Sequence, residues 1–245
     1  MTNFKNKVAL VTGGSSGMGA ATAHQLANKG AKVFCAQRTK SLHEDILIDL
    51  NDVKAPKKII SKINIIAGRL DILINNAGIM KENTVEEILL EEWNDHITIN
   101  LTAPFLLIKY AMPLLKKNNG SIVNVGSIEG LSNNPRHPAY SASKAGLHGL
   151  TRAIAIDHGL DGIRCNAVAP GWINTKLNQD FIKSLDNEKK FKKKLESIHP
   201  LGRSGEVKEV ANLICWLVSE EASFVTGQVW VIDGGRMTKL SLPDN

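Results

Sequence analysis

The opening stretch KVALVTGGSSGMGAATAHQLANKGAKVFCAQR constrains the fold of this chain more than any other segment. An apolar run (Val8 to Thr12) leads into a glycine-rich turn, a helical pattern (about Met18 to Lys29) and a second apolar run (Ala31 to Ala36). Strand, helix, strand in that order is a βαβ unit, which requires a parallel pair with its crossover helix packed on one face. Short β-rich runs recur at Ile46 to Asp49, Ile72 to Asn75, Ser121 to Val125, Arg164 to Ala169 and Val229 to Ile232, with helical patterns between most of them. The expected class is therefore α/β, a parallel sheet covered on both faces. Only about ten residues separate the second strand from the third, too few for a full crossover helix, so a loop or a single helical turn is expected there.

With 245 residues and 43% hydrophobic side chains, the chain can bury one large core, and a single domain over residues 1–245 is expected. Met1 to Lys7 lack the pattern of a signal peptide, and no uncharged apolar run approaches the ~20 residues needed to cross a bilayer. Cys35, Cys165 and Cys215 are odd in number and lack C-x-x-C spacing, which points to reduced, buried thiols. Together these features suggest a soluble cytoplasmic protein with no membrane role. The formal charge of +6 is concentrated in Lys183, Lys189, Lys190, Lys192, Lys193 and Lys194. That cluster could draw in an acidic partner, although a solvated helix face is the plainer account. Low aromatic content and the lack of a nucleic-acid motif argue against nucleic-acid binding.

A phosphate-binding turn needs glycines where backbone approaches a pyrophosphate at a helix N-terminus. Gly13, Gly17 and Gly19 supply them after the first strand, spaced G-x3-G-x-G. At the end of the second strand, an acid would bond a ribose 2′-hydroxyl and an arginine could pair with a 2′-phosphate. Gln37 and Arg38 stand there, so NADP(H) is favoured, while NAD(H) is possible because Arg38 could stack on adenine and Gln37 could bond a hydroxyl.

Tyr140 and Lys144 lie four residues apart in a helical pattern, which puts both side chains on one face. A nearby ammonium favours the phenolate and would lower the tyrosine pKa from its usual value near 10. Ser127 follows an apolar strand, and the carboxyl ends of strands are where ligands bind in parallel sheets. A hydroxyl at that place can bond a substrate oxygen, or simply cap a turn. His24, His96, His137, His148, His158 and His199 share no ligand spacing, so no metal site is expected and surface or polar placement is the better account.

On these residues the chain resembles the short-chain dehydrogenase/reductase family over essentially its whole length. TGGSSGMG (Thr12 to Gly19) is similar to the family's T-G-x3-G-x-G, NNAG (Asn75 to Gly78) to its strand-end motif, and Ser127, Tyr140 and Lys144 to its S...Y-x3-K. Asn100 matches the fourth catalytic residue, PGWINT (Pro170 to Thr175) the segment beside the nicotinamide carboxamide, and DGG (Asp233 to Gly235) the close of the last strand. The resemblance implies a single doubly wound Rossmann-type domain and hydride transfer between a nicotinamide and a carbonyl or alcohol. Tyr140 would be the acid/base, and Ser127 would orient the substrate oxygen. Lys144 would tune Tyr140 and bind ribose hydroxyls, while Asn100 would hold a water linking Lys144 to solvent. Cofactor contacts would come from Gly13, Ser15, Ser16, Gly17, Met18, Gly19, Gln37, Arg38, Asp49, Leu50, Asn76, Ala77, Gly78, Tyr140, Lys144, Pro170, Gly171, Ile173 and Thr175. A homotetramer built on long helices starting near Leu101 and Tyr140 is also implied. The substrate-binding segment, about residues 176–203, carries the lysine cluster, and an acidic carrier protein is one partner it could serve. The departures from the family are the short connection after Arg38 and the tail MTKLSLPDN.

Overall fold

The structure, a computed structural model, describes residues 3–240; of the tail, residues 241–245 lie outside the described residues. Its strands are β1 (Val8–Thr12), β2 (Lys32–Gln37), β3 (Glu44–Leu47), β4 (Ile72–Asn75), β5 (Ser121–Val125), β6 (Arg164–Pro170) and β7 (Val229–Ile232). All pair in parallel, in the order β3-β2-β1-β4-β5-β6-β7. The order turns back beside β1, which opens a crevice at the carboxyl ends of β1 and β4, the place where such sheets bind ligands.

Alternation along β1 shows how both faces are covered. Val8 and Leu10 join one buried cluster, with Ile59 and Ile63 of α2 (Ala55–Ala67) and Leu107 and Ala111 of α4 (Ala103–Lys116). Ala9 and Val11 join the other, with Ala23 and Leu26 of α1 (Gly17–Asn28) and Val210 and Ile214 of α8 (Val207–Leu217). Side chains of successive strand residues point to opposite faces, so an unbroken apolar strand such as VALVT needs a helical layer on each side.

Residues 38–43 contain turns and bends but no helix, as the short spacing requires. The expected third strand, Ile46 to Asp49, starts two residues earlier, at Glu44. Asp45 is the cause: opposite Cys35 in the ladder, its carboxylate accepts the Ser41 N–H at 3.0 Å, the Ser41 hydroxyl at 2.7 Å and the Gln37 amide at 2.6 Å. These bonds draw the strand back along β2.

The helix expected near Leu101 begins at Leu90. It runs as α3 (Leu90–Ile97), a π turn (Thr98–Thr102) and α4. The joined stretch Leu90–Lys116, 27 residues, is long and apolar enough to span a bilayer by length and composition, which no run in the sequence had suggested. Here Ala103, Leu107, Ile108, Ala111 and Leu115 are buried in the core instead. The second long helix, α5 (Pro138–His158), starts two residues before Tyr140. Between β6 and α8 lie α6 (Lys176–Lys183) and α7 (Glu188–Ser197).

All three cysteines are free and buried. Of the histidines, expected in surface or polar places, His24 is exposed and His158 half-buried, while His96, His137, His148 and His199 are buried. Two of them serve the backbone: His96 accepts the Lys81 N–H at 3.1 Å, and His199 Nδ1 lies 2.6 Å from the Leu195 carbonyl oxygen.

Candidate active site

The glycine turn fits a pyrophosphate. Gly13 and Gly17 have φ of +67° and +56°, left-handed backbone that other residues adopt at a cost. Ser16 caps α1 without a side-chain hydrogen bond, which leaves the first-turn N–H groups available to an anion. Gly19 serves packing: a Cβ there would lie 2.2 Å from the Gly13 carbonyl oxygen and 2.4 Å from Asn76 Nδ2. Asn76 Nδ2 in turn donates to the Thr12 and Gly13 carbonyls at 2.9 and 3.2 Å, so the NNAG turn is fastened to the glycine turn. Across the crevice, Thr175 Cγ2 lies 3.5 Å from a Cβ built on Gly17. PGWINT therefore faces the glycine turn, although the two segments are remote in sequence.

Ser15 and Arg38 stand at the edge of this cleft. Thr39 donates to the Ser15 hydroxyl at 3.0 Å, and Arg38 is exposed. Gln37 is the exception to the expected cofactor contacts: buried, it accepts the Gly14 N–H at Oε1 and donates to Asp45 through Nε2. Its amide is occupied at both ends, which removes it as a free partner for a ribose hydroxyl. Leu50 and Ile173 are also packed in the core clusters, so neither side chain is free for ligand contact. Asp49 is exposed, and Met18, Ala77, Gly171 and Thr175 are half-buried along the crevice, with Gly78 exposed and Pro170 buried at the end of β6.

Four predicted catalytic residues converge at the carboxyl end of β5. Ser127 leaves the strand with an extended backbone and caps a short turn, accepting the Glu129 N–H at 3.1 Å. Its hydroxyl lies beside the Tyr140 phenol, close enough to lower the phenol's pKa. Lys144 Nζ lies 5.6 Å from the Tyr140 ring centroid, the proximity that four-residue spacing on a helix produces, and donates to the Val125 carbonyl at 2.7 Å. Asn100 lies in the π turn, a helix irregularity often found at functional sites. Its Oδ1 accepts the Ile79 N–H at 2.9 Å, and its Nδ2 donates to the Ile79 carbonyl and the Ser143 hydroxyl, both at 3.0 Å. A Cβ on Gly78 would lie 3.1 Å from Asn100 Oδ1 and 3.4 Å from Lys144 Nζ, so the NNAG turn roofs this pair.

The electrostatics differ from the sequence expectation. Burial pushes the Tyr140 phenol up to about 12; the Ser127 hydroxyl lowers it and the Glu129 charge adds to the rise. Burial also brings Lys144 down to about 8. In the free protein Tyr140 is therefore a protonated donor, and desolvation outweighs any stabilisation of its phenolate by Lys144. His148, next to Lys144, is held down to about 4, first by burial and then by the Lys144 charge. A cavity of 710 Å³ at the opposite, amino ends of β4, β5 and β6, lined in part by Lys7, Asp71 and Arg164, contains none of these groups.

Several site residues were not found from sequence. Glu129 and His137 stand beside Ser127 and Tyr140, and Asp45 fixes the adenosine-side loop. The available signals were Glu129 two residues after Ser127 and His137 three before Tyr140. Trp172, just ahead of the 176–203 segment, forms a ring cluster with Phe181 and Phe191 inside it, with centroids 5.8 to 6.1 Å apart, which anchors α6 and α7 and leaves the α7 lysines outward and exposed.

Comparison with known proteins agrees with this geometry. A family model described as enoyl-(acyl carrier protein) reductase matches residues 13–237. The chain belongs to the short-chain dehydrogenase/reductase family. It is 39% identical to an uncharacterized oxidoreductase of Thermotoga maritima, over 95% of this chain and 98% of that one. It is 36% identical to the 3-oxoacyl-(acyl-carrier-protein) reductase of Escherichia coli, over 95% and 98%. Among solved structures, a ligand-free aldohexose dehydrogenase of Thermoplasma acidophilum superposes with a TM-score of 0.92 at 32% identity, covering 98% of each chain. This family member is an oxidoreductase that interconverts carbonyls and alcohols with a nicotinamide nucleotide.

Proposed function

We propose that the protein interconverts a small ketone or aldehyde and its alcohol, with Tyr140 as acid/base and NADP(H) as the favoured nucleotide. The observation that carries this reading is the convergence of Ser127, Tyr140 and Lys144 at the end of β5, under the NNAG turn that is fastened to the glycine turn. The bound nicotinamide supplies or accepts the hydride. In reduction, Tyr140 donates its phenolic proton to the carbonyl oxygen while Ser127 holds that oxygen; in oxidation the proton returns from the alcohol. Lys144 binds the ribose hydroxyls, and Asn100 positions Ser143 and the Gly78 roof and holds a water that links Lys144 to solvent. Gly13, Ser15, Ser16, Gly17, Met18 and Gly19 receive the pyrophosphate and adenosine ribose. Asp49, Asn76, Ala77 and Gly78 border the adenosine, with Leu50 contributing through its backbone. Pro170, Gly171, Ile173 and Thr175 border the nicotinamide, Ile173 through its backbone.

NADP(H) is favoured because Gln37 is occupied and the exposed Arg38 is the cation left at the ribose corner. NAD(H) is the second reading, supported by the Asp45 carboxylate bonded to Gln37, since an acid near that corner disfavours a phosphate. The protein acts as a single domain in the cytoplasm and assembles as a homotetramer through α4 and α5, which expose Phe105 and Ile156. Fluorescence titration with NADPH and NADH, followed by turnover of alcohols and ketones by the parent and Tyr140→Phe, tests the proposal. Turnover within tenfold of the parent in the variant would overturn the role of Tyr140.

A further inference from the structure

A polar network beside Ser127 and Tyr140 takes no part in the chemistry proposed above. Glu129, 8% exposed, accepts the Asn134 amide at 2.9 Å through Oε1, and its Oε2 lies 2.7 Å from His137 Nδ1. Arg236, in the turn after β7, fixes Asn134 from the other side at 2.7 Å. His137 is also 8% exposed, and its ring stands edge-on to the Tyr140 ring with centroids 6.2 Å apart. A carboxylate accepts but does not donate, so Nδ1 turns its proton toward Glu129 and Nε2 is the ring nitrogen left for another partner. Nε2 is buried without a hydrogen-bond partner; the exposed Glu82 carboxylate lies 3.8 Å away, beyond hydrogen-bond distance.

A buried ring nitrogen left open, on a ring held by a buried carboxylate, costs stability unless something occupies it. Residues drawn from two parts of the chain, the turn after β5 and the turn after β7, hold this ring against the reacting phenol, which is more order than an unused side chain needs. We infer that His137 Nε2 hydrogen-bonds a second hydroxyl on the substrate, one next to the carbon oxidised at Tyr140, and that Glu129 is its positioning residue. The substrate class is therefore a polyol or sugar with vicinal hydroxyls. A plain alkyl chain would leave Nε2 unpaired, and an anionic group would meet Glu129 and Glu82. This assignment rests on the proposed function and narrows its substrate.

The experiment measures kcat and KM for vicinal diols and aldohexoses and for mono-alcohols of matching skeleton, such as 1,2-cyclohexanediol against cyclohexanol. The parent should prefer the diol in kcat/KM by about tenfold or more, because a site built to bond a hydroxyl rejects the analogue that lacks it. His137→Phe should abolish that preference by raising the diol KM, with the cyclohexanol KM unchanged. His137→Gln, which keeps a hydrogen-bonding group, should restore part of it, and Glu129→Gln should fall between parent and His137→Phe. A merely structural role would move both substrates together, and that result overturns the inference, as does a parent that prefers mono-alcohols. If the parent turns over no alcohol or carbonyl while binding nucleotide, the proposed function falls and this inference with it. Turnover confined to mono-alcohols overturns the inference alone.

Discussion

At the catalytic end of the crevice, Ser127, Tyr140 and Lys144 meet through a strand end and one helix, with the reacting phenol half-buried and protonated. At the adenosine end, the loop after β2 ties its polar groups to one another: Gln37 to Gly14 and Asp45, Asp45 to Ser41, and Thr39 to Ser15. One end holds titratable groups in an environment that shifts their protonation. The other uses side-chain hydrogen bonds in place of a crossover helix and leaves Arg38 exposed. Chemistry should therefore be sensitive to single changes at the first end, whereas nucleotide choice at the second depends on one residue and on the integrity of a short loop.

The largest effect expected is at Tyr140. Tyr140→Phe removes the proton donor and should lower kcat by about 10²- to 10⁴-fold while the nucleotide Kd stays near that of the parent. Steady-state kinetics and fluorescence titration give both numbers, and a matching loss of affinity would show that the two ends are not independent.

Lys144→Met should also abolish turnover and weaken nucleotide binding, yet stabilise the free protein by about 1–3 kcal/mol, because a buried ammonium is removed. The sign follows from a pKa brought down to about 8. The unfolded chain binds this proton more tightly, so the penalty is fully present below pH 8 and is relieved as pH rises toward the ordinary lysine range. Denaturant unfolding of the two proteins at neutral and alkaline pH should show the gain shrinking as pH rises.

At the adenosine end, Arg38→Leu should weaken NADPH by about 1.5 to 3 kcal/mol and barely affect NADH. A parent that already prefers NADH by tenfold would make Asp45 the deciding group. Asp45→Asn tests the loop itself. Burial alone would raise this carboxyl, but bonds from Ser41 and Gln37 hold it below the usual range. Its contribution to the loop is present above the ordinary carboxylate pKa and lost as pH falls through the folded value. The variant should weaken both nucleotides equally, by about 3- to 10-fold, as the charge-assisted bonds from Ser41 and Gln37 become neutral or are lost.

The smallest effect concerns the α7 lysines. Replacing Lys190, Lys192, Lys193 and Lys194 with Gln should change KM for a neutral substrate by less than about twofold, since exposed charges act through a screened field. A selective, salt-sensitive rise for an anionic substrate would instead support steering toward an acidic partner.

Most of the fold is legible in the sequence because its signals are local and repeated. VALVT, ILIN and SIVNV are mostly apolar, as strands buried on both faces must be, and the glycine turn sits where β1 hands over to α1. The partnership of Tyr140 and Lys144 is equally local, fixed by four residues of helix. Tertiary structure alone decided matters that depend on burial or on chain segments far apart. Asp45 set the start of β3, because that depends on which side chains its carboxylate reaches across the ladder. Gln37 lost its availability to Gly14, 23 positions away. Tyr140 became a strong proton holder rather than a ready phenolate, because desolvation is a property of the packed site and not of the Y-x3-K spacing. The Glu129 and His137 pair belongs to the same class: two residues eight positions apart, bland in sequence, acquire a direction and an open ring nitrogen only when the turn after β5 folds onto the start of α5.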